Sequence, residues 1–374
     1  MFPGLAVAEA LRQEDGGAKV LFLATQRQID RQILQKSGFD YEAQPIVPLP
    51  DLRKPWQGWG FYRCWRASIK RCEKLMCQNR PAAVLGLGGF ASGPAMKVAA
   101  KMGIPAAMLN PDAIPGKANQ FCRKYADRIF LQWQVSKEYF GKDSDKCVVT
   151  GCPVRKEIVE RRAWSVECRA KSEERQKEAK VQLGLDGEKR LLVVMGGSQG
   201  GRNVNEAVVR CLTTGLKRVG QSSTLQNWQV LALVGKDYDM WTRQYAKALI
   251  PAKTLEFSDR MELVLGAADL VVSRAGASSL AELTAAAVPS ILLPYPYHRD
   301  HHQLHNAQVL ARAGAAQIIF DECSAEKTSE SLTKVLVDGM NNDKLLLMAE
   351  AARTLGRPQA AELVARGLIS ISNR

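Results

Sequence analysis

The chain has 374 residues, 46% of them hydrophobic and 24% charged, which is the composition of a globular protein with room for two domains. No run of 18 apolar residues offers a membrane-crossing helix, and the N-terminus has no basic-then-apolar signal peptide. The net charge of +14 is uneven, +9 in residues 1–150 (22 Lys+Arg, 13 Asp+Glu) and +5 in the remainder (30 and 25), so a basic face lies in the first half. Such a face suits nucleic acid, anionic lipid or a phosphorylated substrate. Nine cysteines without a CxxC pair argue for reduced thiols in a cytoplasmic protein and against disulfide or zinc frameworks.

Met1–Leu11 forms an amphipathic helix behind a Pro-Gly start, and Asp15-Gly16-Gly17 turns it into a strand, Lys19–Ala24. A helix feeding a parallel strand normally follows a strand and loop. Without them the first sheet would expose an edge and an apolar helix face. In residues 51–80, Trp56, Trp59, Phe61, Tyr62 and Trp65 interleave with Arg53, Lys54, Arg63, Arg66, Lys70, Arg71 and Lys74, at a net charge of +6. Three readings fit: a membrane interface, a helix with a core-facing aromatic side and a solvated basic side, and a stacking platform for single-stranded nucleic acid.

The strand Ala82–Leu87 leads into Gly88-Gly89-Phe90-Ala91-Ser92-Gly93-Pro94 and a helix, Ala95–Lys101. The glycines allow close backbone approach, and the helix start can face a phosphate. After the strand Ile104–Leu109, Asp112 is the nearest carboxylate in the following loop. It can serve as a base or contact a sugar; closing a turn after Pro111 accounts for it equally. Strands Arg128–Leu131 and Cys147–Thr150 complete a first domain over residues 1–153, ended by Gly151 and Pro153. A second domain spans 154–355. Its early stretch, Glu157 to Lys189, has mixed charge and reads as a solvated helix or insertion.

The strand Arg190–Met195 enters Gly196-Gly197-Ser198-Gln199-Gly200-Gly201, with a helix from near Asn203: a second phosphate cradle. Another strand spans Trp228–Val234, and Phe257–Met261 precedes a helix leading to Ala268. Ala268–Ser273 is a buried strand, and Arg274–Ser279 turns the chain where open α/β sheets bind ligands. Ser278 or Ser279 can cap the helix through Leu280, Glu282, Leu283 and Ala286, which Pro289 ends before the strand Ser290–Leu293. Glu282, within about the first turn, can accept hydrogen bonds from two ribose hydroxyls or complement the helix dipole. Asp300–Ala307 opens another helix and holds three of the four histidines, with His298 just before it. His302 and His305 stand at i and i+3, but no acid–histidine ligand set accompanies them, and polar reach toward a nucleotide-sugar fits better than a metal. A strand, Ala316–Phe320, and two charged helices complete the chain.

The pattern S-R-A-G-A-S-S-L-A-E-L-x-A-A-x-V-P-S-I-L-L-P from Ser273, followed by D-x-H-Q-x-x-N-A from Asp300, resembles the MurG family. These peripheral glycosyltransferases add N-acetylglucosamine to the lipid-linked muramyl-pentapeptide precursor of peptidoglycan. G-G-F-A-S-G-P at Gly88, G-C-P-V-R at Gly151, G-G-S-Q-G-x-R-x-x-N at Gly196 and Phe257…Met261 extend the likeness along most of the chain. The resemblance implies a GT-B fold, α/β, with two Rossmann-like domains facing across a cleft, and a last helix, about 356–374, packing back on the first domain.

For the donor UDP-GlcNAc, the resemblance implies contacts from Arg155, Ser198 and Gln199 near the diphosphate and from Glu282 at the ribose. It adds the backbone of Phe257 and Ser258 at the uracil, and Ala277, His302, Gln303 and Asn306 around the rest. Gly88, Gly89, Ser92 and Gly93 would form the acceptor-diphosphate loop, with Asn110, Asp112 and Asn119 in the sugar and acceptor cleft. Trp56, Trp59, Phe61, Trp65, Arg63 and Arg66 would meet an anionic membrane surface from the cytoplasmic side. The implied reaction is an inverting single displacement with no metal, no cofactor and no nucleic-acid partner. Two departures stand out. The family's H-E-Q-N is Leu109-Asn110-Pro111-Asp112 here, which makes Asp112 the candidate base. The family's G-G-T-G-G-H upstream of the first helix is absent from this sequence, and a start placed too far downstream is the expectation. The alternatives are another lipid-directed GT-B transferase and a catalytically impaired nucleotide-sugar-binding protein.

Overall fold

The computed structural model describes residues 1–48, 56–160, 169–196, 201–218, 226–297, 300–322, 324–339 and 342–373, with side chains undescribed at 56, 57, 169–171, 338 and 339. It divides into two compact units, Met1–Arg155 with Arg357–Arg374, and Lys156–Gly356. Both are α/β with parallel strands throughout, the fold class expected.

In the first unit, α1 (Phe2–Glu14) precedes β1 (Leu21–Ala24), α2 (Gln28–Ser37) and β2 (Asp40–Ala43). Then come α3 (Trp56–Asn79), β3 (Val84–Gly86), α4 (Ser92–Lys101), β4 (Ala106–Asn110), α5 (Lys117–Cys122), β5 (Arg128–Leu131) and β6 (Cys147–Val149). The described strands form two sheets, β1-β2 and β3-β4-β5-β6. Among the described residues β1 pairs with β2 alone and β3 with β4 alone, so each presents an edge. The apolar face of α1 is not exposed, contrary to expectation. Ala6, Val7, Ala8 and Ala10 are buried, and the helix packs on the final helix of the same unit. At Gly4, α1 comes so close to Leu87 that a Cβ would lie 2.4 Å from its Cδ1. α4 begins three residues earlier than expected, because Pro94 falls within the first turn, where its missing N–H has no acceptor to lose. Met96, Ala99, Met108, Ile129, Leu131 and Phe140 form the core beneath it.

The second unit contains α6 (Arg169–Gln182), β7 (Arg190–Met195), α7 (Arg202–Arg210), β8 (Trp228–Leu233), α8 (Tyr238–Tyr245), β9 (Ala252–Leu255) and α9 (Met261–Ala267). It continues with β10 (Leu270–Ser273), α10 (Ala277–Ala285), β11 (Ser290–Leu292), α11 (His302–Arg312), β12 (Ala316–Ile318), α12 (Ala325–Gly339) and α13 (Asn342–Leu355). The chain returns to the first unit as α14 (Ala360–Ser372). The sheet order is β12-β11-β10-β7-β8-β9. Its strands are near-continuous apolar runs, as burial on both faces requires. α6 corrects the reading of a merely solvated segment. Lys180, 5% exposed at its side chain, pairs with Asp269 at 2.9 Å, and Gln176 donates to the carbonyls of Ala267 and Ala268. One face of that charged helix is therefore docked under α9.

Candidate functional site

The chain lays down β7, β8 and β9 toward one edge, then returns to place β10 on the other side of β7. That reversal makes the carboxyl ends of β7 and β10 the ligand crevice of this unit. Three helices start at this edge: α7 behind Gly201, α10 behind Gly276 and α11 behind His301. None carries a side-chain cap. Their opening N–H groups have no intrahelical acceptors, and the peptide dipoles add a partial positive charge. The expected cap from Ser278 or Ser279 is not made. The helix opens at Ala277, so both serines lie in its first turn, and the capping position falls to Gly276, which has no side chain. Gly201 is left-handed (φ 49°), and a Cβ there would lie 2.3 Å from the Cα of Gly196, so the two ends of the glycine loop touch. His301 also adopts a left-handed backbone (φ 45°), which histidine tolerates better than most residues.

A polar network joins these three starts. The Gln303 side-chain oxygen accepts from the N–H of Ala275 at 3.3 Å and of Tyr295 at 3.0 Å. Fully buried Asn306 donates to the carbonyl of Ala275 at 3.4 Å. The first two turns of α11 thus grip the peptide that leads into α10. Arg274, one residue earlier, donates from Nη1 to the carbonyls of Leu293 (2.9 Å) and Pro294 (3.4 Å) and from Nη2 to Asp321 Oδ2 (2.8 Å). The same Asp321 oxygen accepts from Asn203, in the first turn of α7, at 3.4 Å.

Glu282 is the sixth residue of α10 and partly buried, beyond the first turn where it was expected. A dipole-complementing role weakens at that depth. His302 Nδ1 stands 2.8 Å from Asp300 Oδ1, which orients the ring and leaves Nε2 as its other polar atom. Gln303 is half-buried with its oxygen engaged on Ala275 and Tyr295, and Asn306 holds the Ala275 carbonyl. Ala277 contributes the first N–H of α10. Phe257, 62% exposed, and buried Ser258 lie beyond β9, the outermost strand. Ser258 Oγ accepts from the Arg260 N–H in that corner, and the neighbouring Glu256 carbonyl accepts from Gly235. Ser198 and Gln199 lie outside the described residues. In the first unit, the Arg155 guanidinium covers the Phe2 ring at 4.4 Å. Among the described residues no cluster of three His, Cys, Asp or Glu side chains is placed to hold a metal ion.

The first unit gathers a second set of loops at the carboxyl edge of β3, β4 and β5. Gly88 and Gly89 are left-handed (φ 85° and 72°), Ser92 Oγ donates to the Gly88 carbonyl at 2.9 Å, and buried Gln44 donates to Ala91 at 2.9 Å. Asn110 and Asn119, expected in the cleft, are buried. Asn119 donates to Asn110 Oδ1 at 2.8 Å, and Asn110 to the Asp112 carbonyl at 2.7 Å. They brace the loops because strand-end peptides outside the ladder need partners. Asp112 sits half-buried in the bend after Pro111, its carbonyl also accepting from Ser136 at 3.0 Å. Gln132 and Trp133, which no sequence signal singled out, follow β5 at this edge. Both are buried, with Gln132 Nε2 and Oε1 and Trp133 Nε1 unpaired among the described residues.

α3 divides along its length. Ser68, Cys72, Leu75 and Met76 are buried, so its second half packs in the core, whereas Trp59 is 69% exposed and Tyr62, Arg63 and Arg66 are also exposed. Phe61 stacks on Trp65 (centroids 6.0 Å apart), Trp65 meets Phe121 (5.7 Å), and Phe121 meets Tyr125 (5.4 Å) with the Lys124 ammonium against both rings. Sequence reading missed Phe121 and Tyr125; their i, i+4 spacing was the available signal. Trp65 also abuts the turn of Gly88–Gly93, since a Cβ on Gly93 would lie 3.0 Å from its ring. Arg53, Lys54 and the Trp56 side chain lie outside the described residues.

Residues 1–131 match the glycosyltransferase family 28 N-terminal domain and residues 191–364 the family 28 C-terminal domain. The chain is 34% identical to a UDP-N-acetylglucosamine–N-acetylmuramyl-(pentapeptide) pyrophosphoryl-undecaprenol N-acetylglucosamine transferase from Desulforamulus reducens, over 96% of this chain and 92% of that one. It is 31% identical to the enzyme of the same name from Geobacter sulfurreducens, over 100% and 96%. Among solved structures, Acinetobacter baumannii MurG superposes with a TM-score of 0.70 at 24% identity, covering 99% of this chain and 95% of that one. UDP-GlcNAc 2-epimerase from Neisseria meningitidis gives 0.65 at 13% identity, covering 99% and 96%, a likeness of fold alone.

Gln303→Leu should leave the N–H groups of Ala275 and Tyr295 without their acceptor and weaken binding of uridine diphosphate about tenfold. Isothermal titration of the folded variant checks this, and wild-type affinity would remove Gln303 from the loop-setting network.

Proposed function

We propose the following activity for a chain that belongs to the MurG family of glycosyltransferases, family 28. It moves N-acetylglucosamine from UDP-GlcNAc to the lipid-linked muramyl-pentapeptide, forming the disaccharide precursor of peptidoglycan. The observation that carries this reading is the joining of three uncapped helix starts by Asn203, Arg274, Gln303, Asn306 and Asp321 at the sheet's reversal point. Such an edge favours a diphosphate as ligand and as leaving group. Glu282 receives the ribose hydroxyls, while the His302 ring and the Gln303 amide face the sugar. The Phe257–Ser258 backbone meets the uracil.

In the proposed step an acceptor hydroxyl attacks the anomeric carbon from the side opposite the diphosphate, so configuration inverts. Asp112 takes the hydroxyl proton, the bond from anomeric carbon to phosphate oxygen breaks, and helix-start N–H groups stabilise the departing uridine diphosphate. Gly88, Gly89, Ser92 and Gly93 hold the acceptor diphosphate. The exposed aromatics of α3, with Arg63 and Arg66, rest on the anionic membrane that carries the acceptor. Among the described residues no helix is long and apolar enough to cross that membrane, so the proposed attachment is peripheral.

Radiolabelled transfer to a short-chain muramyl-pentapeptide lipid tests the activity, and absence of product with both substrates present would end the reading. Glu282→Ala should raise the KM for UDP-GlcNAc about tenfold or more through loss of charge-assisted hydrogen bonds. Asp112→Asn should lower kcat about a hundredfold with little change in either KM; an unchanged kcat assigns the base elsewhere. Replacing Arg63 and Arg66 by Gln should reduce partitioning onto vesicles containing anionic phospholipid by roughly 1 kcal/mol per residue. Equal sedimentation with vesicles would remove the patch from the membrane contact.

A further inference from the structure

The geometry points to Asp321 as a positioning residue of the donor site, acting through the buried guanidinium of Arg274 and directly on Asn203. This deepens the proposed function and rests on it. Asp321 follows β12, two strands from β10, and lies 47 positions beyond Arg274 in sequence. Its side chain is 2% exposed and that of Arg274 is 9% exposed. A guanidinium at that depth needs its fork filled. Two donors of Arg274 reach the carbonyls of Leu293 and Pro294 just beyond β11, and Asp321 takes a third. The same carboxylate reaches Asn203 in the first turn of α7, just beyond the glycine loop.

Asn203 and Arg274, which donate to this carboxylate, and the carbonyls that Arg274 reaches all belong to segments that lead into helices at the crevice. Arg274 precedes the start of α10, Leu293 and Pro294 begin the connection to α11, and Asn203 belongs to α7. The apolar core of the unit, which includes Val204, Leu293 and Ile319, backs these same segments, while the polar ties run between their loops. Asp321 therefore sets the mutual angle of the loops that receive the donor, without touching donor atoms itself.

The test is steady-state kinetics and calorimetry on the full chain with UDP-GlcNAc and UDP. Asp321→Asn keeps the shape but removes the charge that Arg274 and Asn203 share. It should raise the UDP-GlcNAc KM and the UDP Kd about tenfold while leaving the acceptor KM unchanged. Asn203→Ala, which leaves the Arg274–Asp321 pair intact, should raise the donor KM about threefold. A role confined to folding would lower Tm and the active fraction while the folded protein bound UDP as the wild type does, and that result overturns the proposal. If Asp321→Asn does not fold, Asn203→Ala decides: a raised donor KM supports the assignment and a wild-type value overturns it. Failure of the wild-type chain to bind UDP would overturn the function reading and this assignment together, whereas wild-type affinity in both variants would overturn the assignment alone.

Discussion

Parallel pairing dictates where everything else in the second unit can go. When all six strands run the same way, each crossover helix must begin at the same edge of the sheet. The helix starts, with their unsatisfied N–H groups, are therefore delivered to one rim. Reversal of strand order between β7 and β10 then opens that rim into a crevice. What parallel pairing cannot supply is the relative orientation of the starts, because each hangs on a short loop outside the ladder. Here that orientation comes from side chains, with Gln303 and Asn306 gripping Ala275 from one side and Arg274, Asp321 and Asn203 tying the other.

The alternation of short apolar runs and helical patterns was legible in the sequence, because the buried strands of a parallel sheet leave a run of valine and leucine that little else produces. Val271–Ser273 and Arg190–Met195 are such runs. Helix ends were less legible. Ser278 and Ser279 look like caps, yet an extended Gly276 moves the start one residue ahead of them. α6 looked solvated because a sequence window cannot show that Lys180 finds Asp269 across 89 positions.

The candidate site was legible as segments rather than as roles. The motif residues Asn110, Asn119 and Asn306 resemble ligand contacts in the sequence, and in the structure they also brace the loops. The reason is general to loops at strand ends: their peptides must bond to something, and a short buried amide answers both a donor and an acceptor. A motif therefore records two kinds of need, holding the ligand and holding the loop, in the same residue types. Asp321 and Asn203 carry no such signature, because their partnership exists only once β12 and α7 have been brought to the same rim.

The contact between Trp65 and Gly93 has a bearing on how an acceptor would arrive. On the proposed reading, the ring row that rests among lipid headgroups ends one van der Waals contact from the turn that cradles a diphosphate. A polyprenyl carrier could then keep its tail in the leaflet and present only its charged head, so capture becomes a search over a plane instead of a volume. Lateral crowding of the leaflet, rather than bulk concentration, would set how often the enzyme is filled.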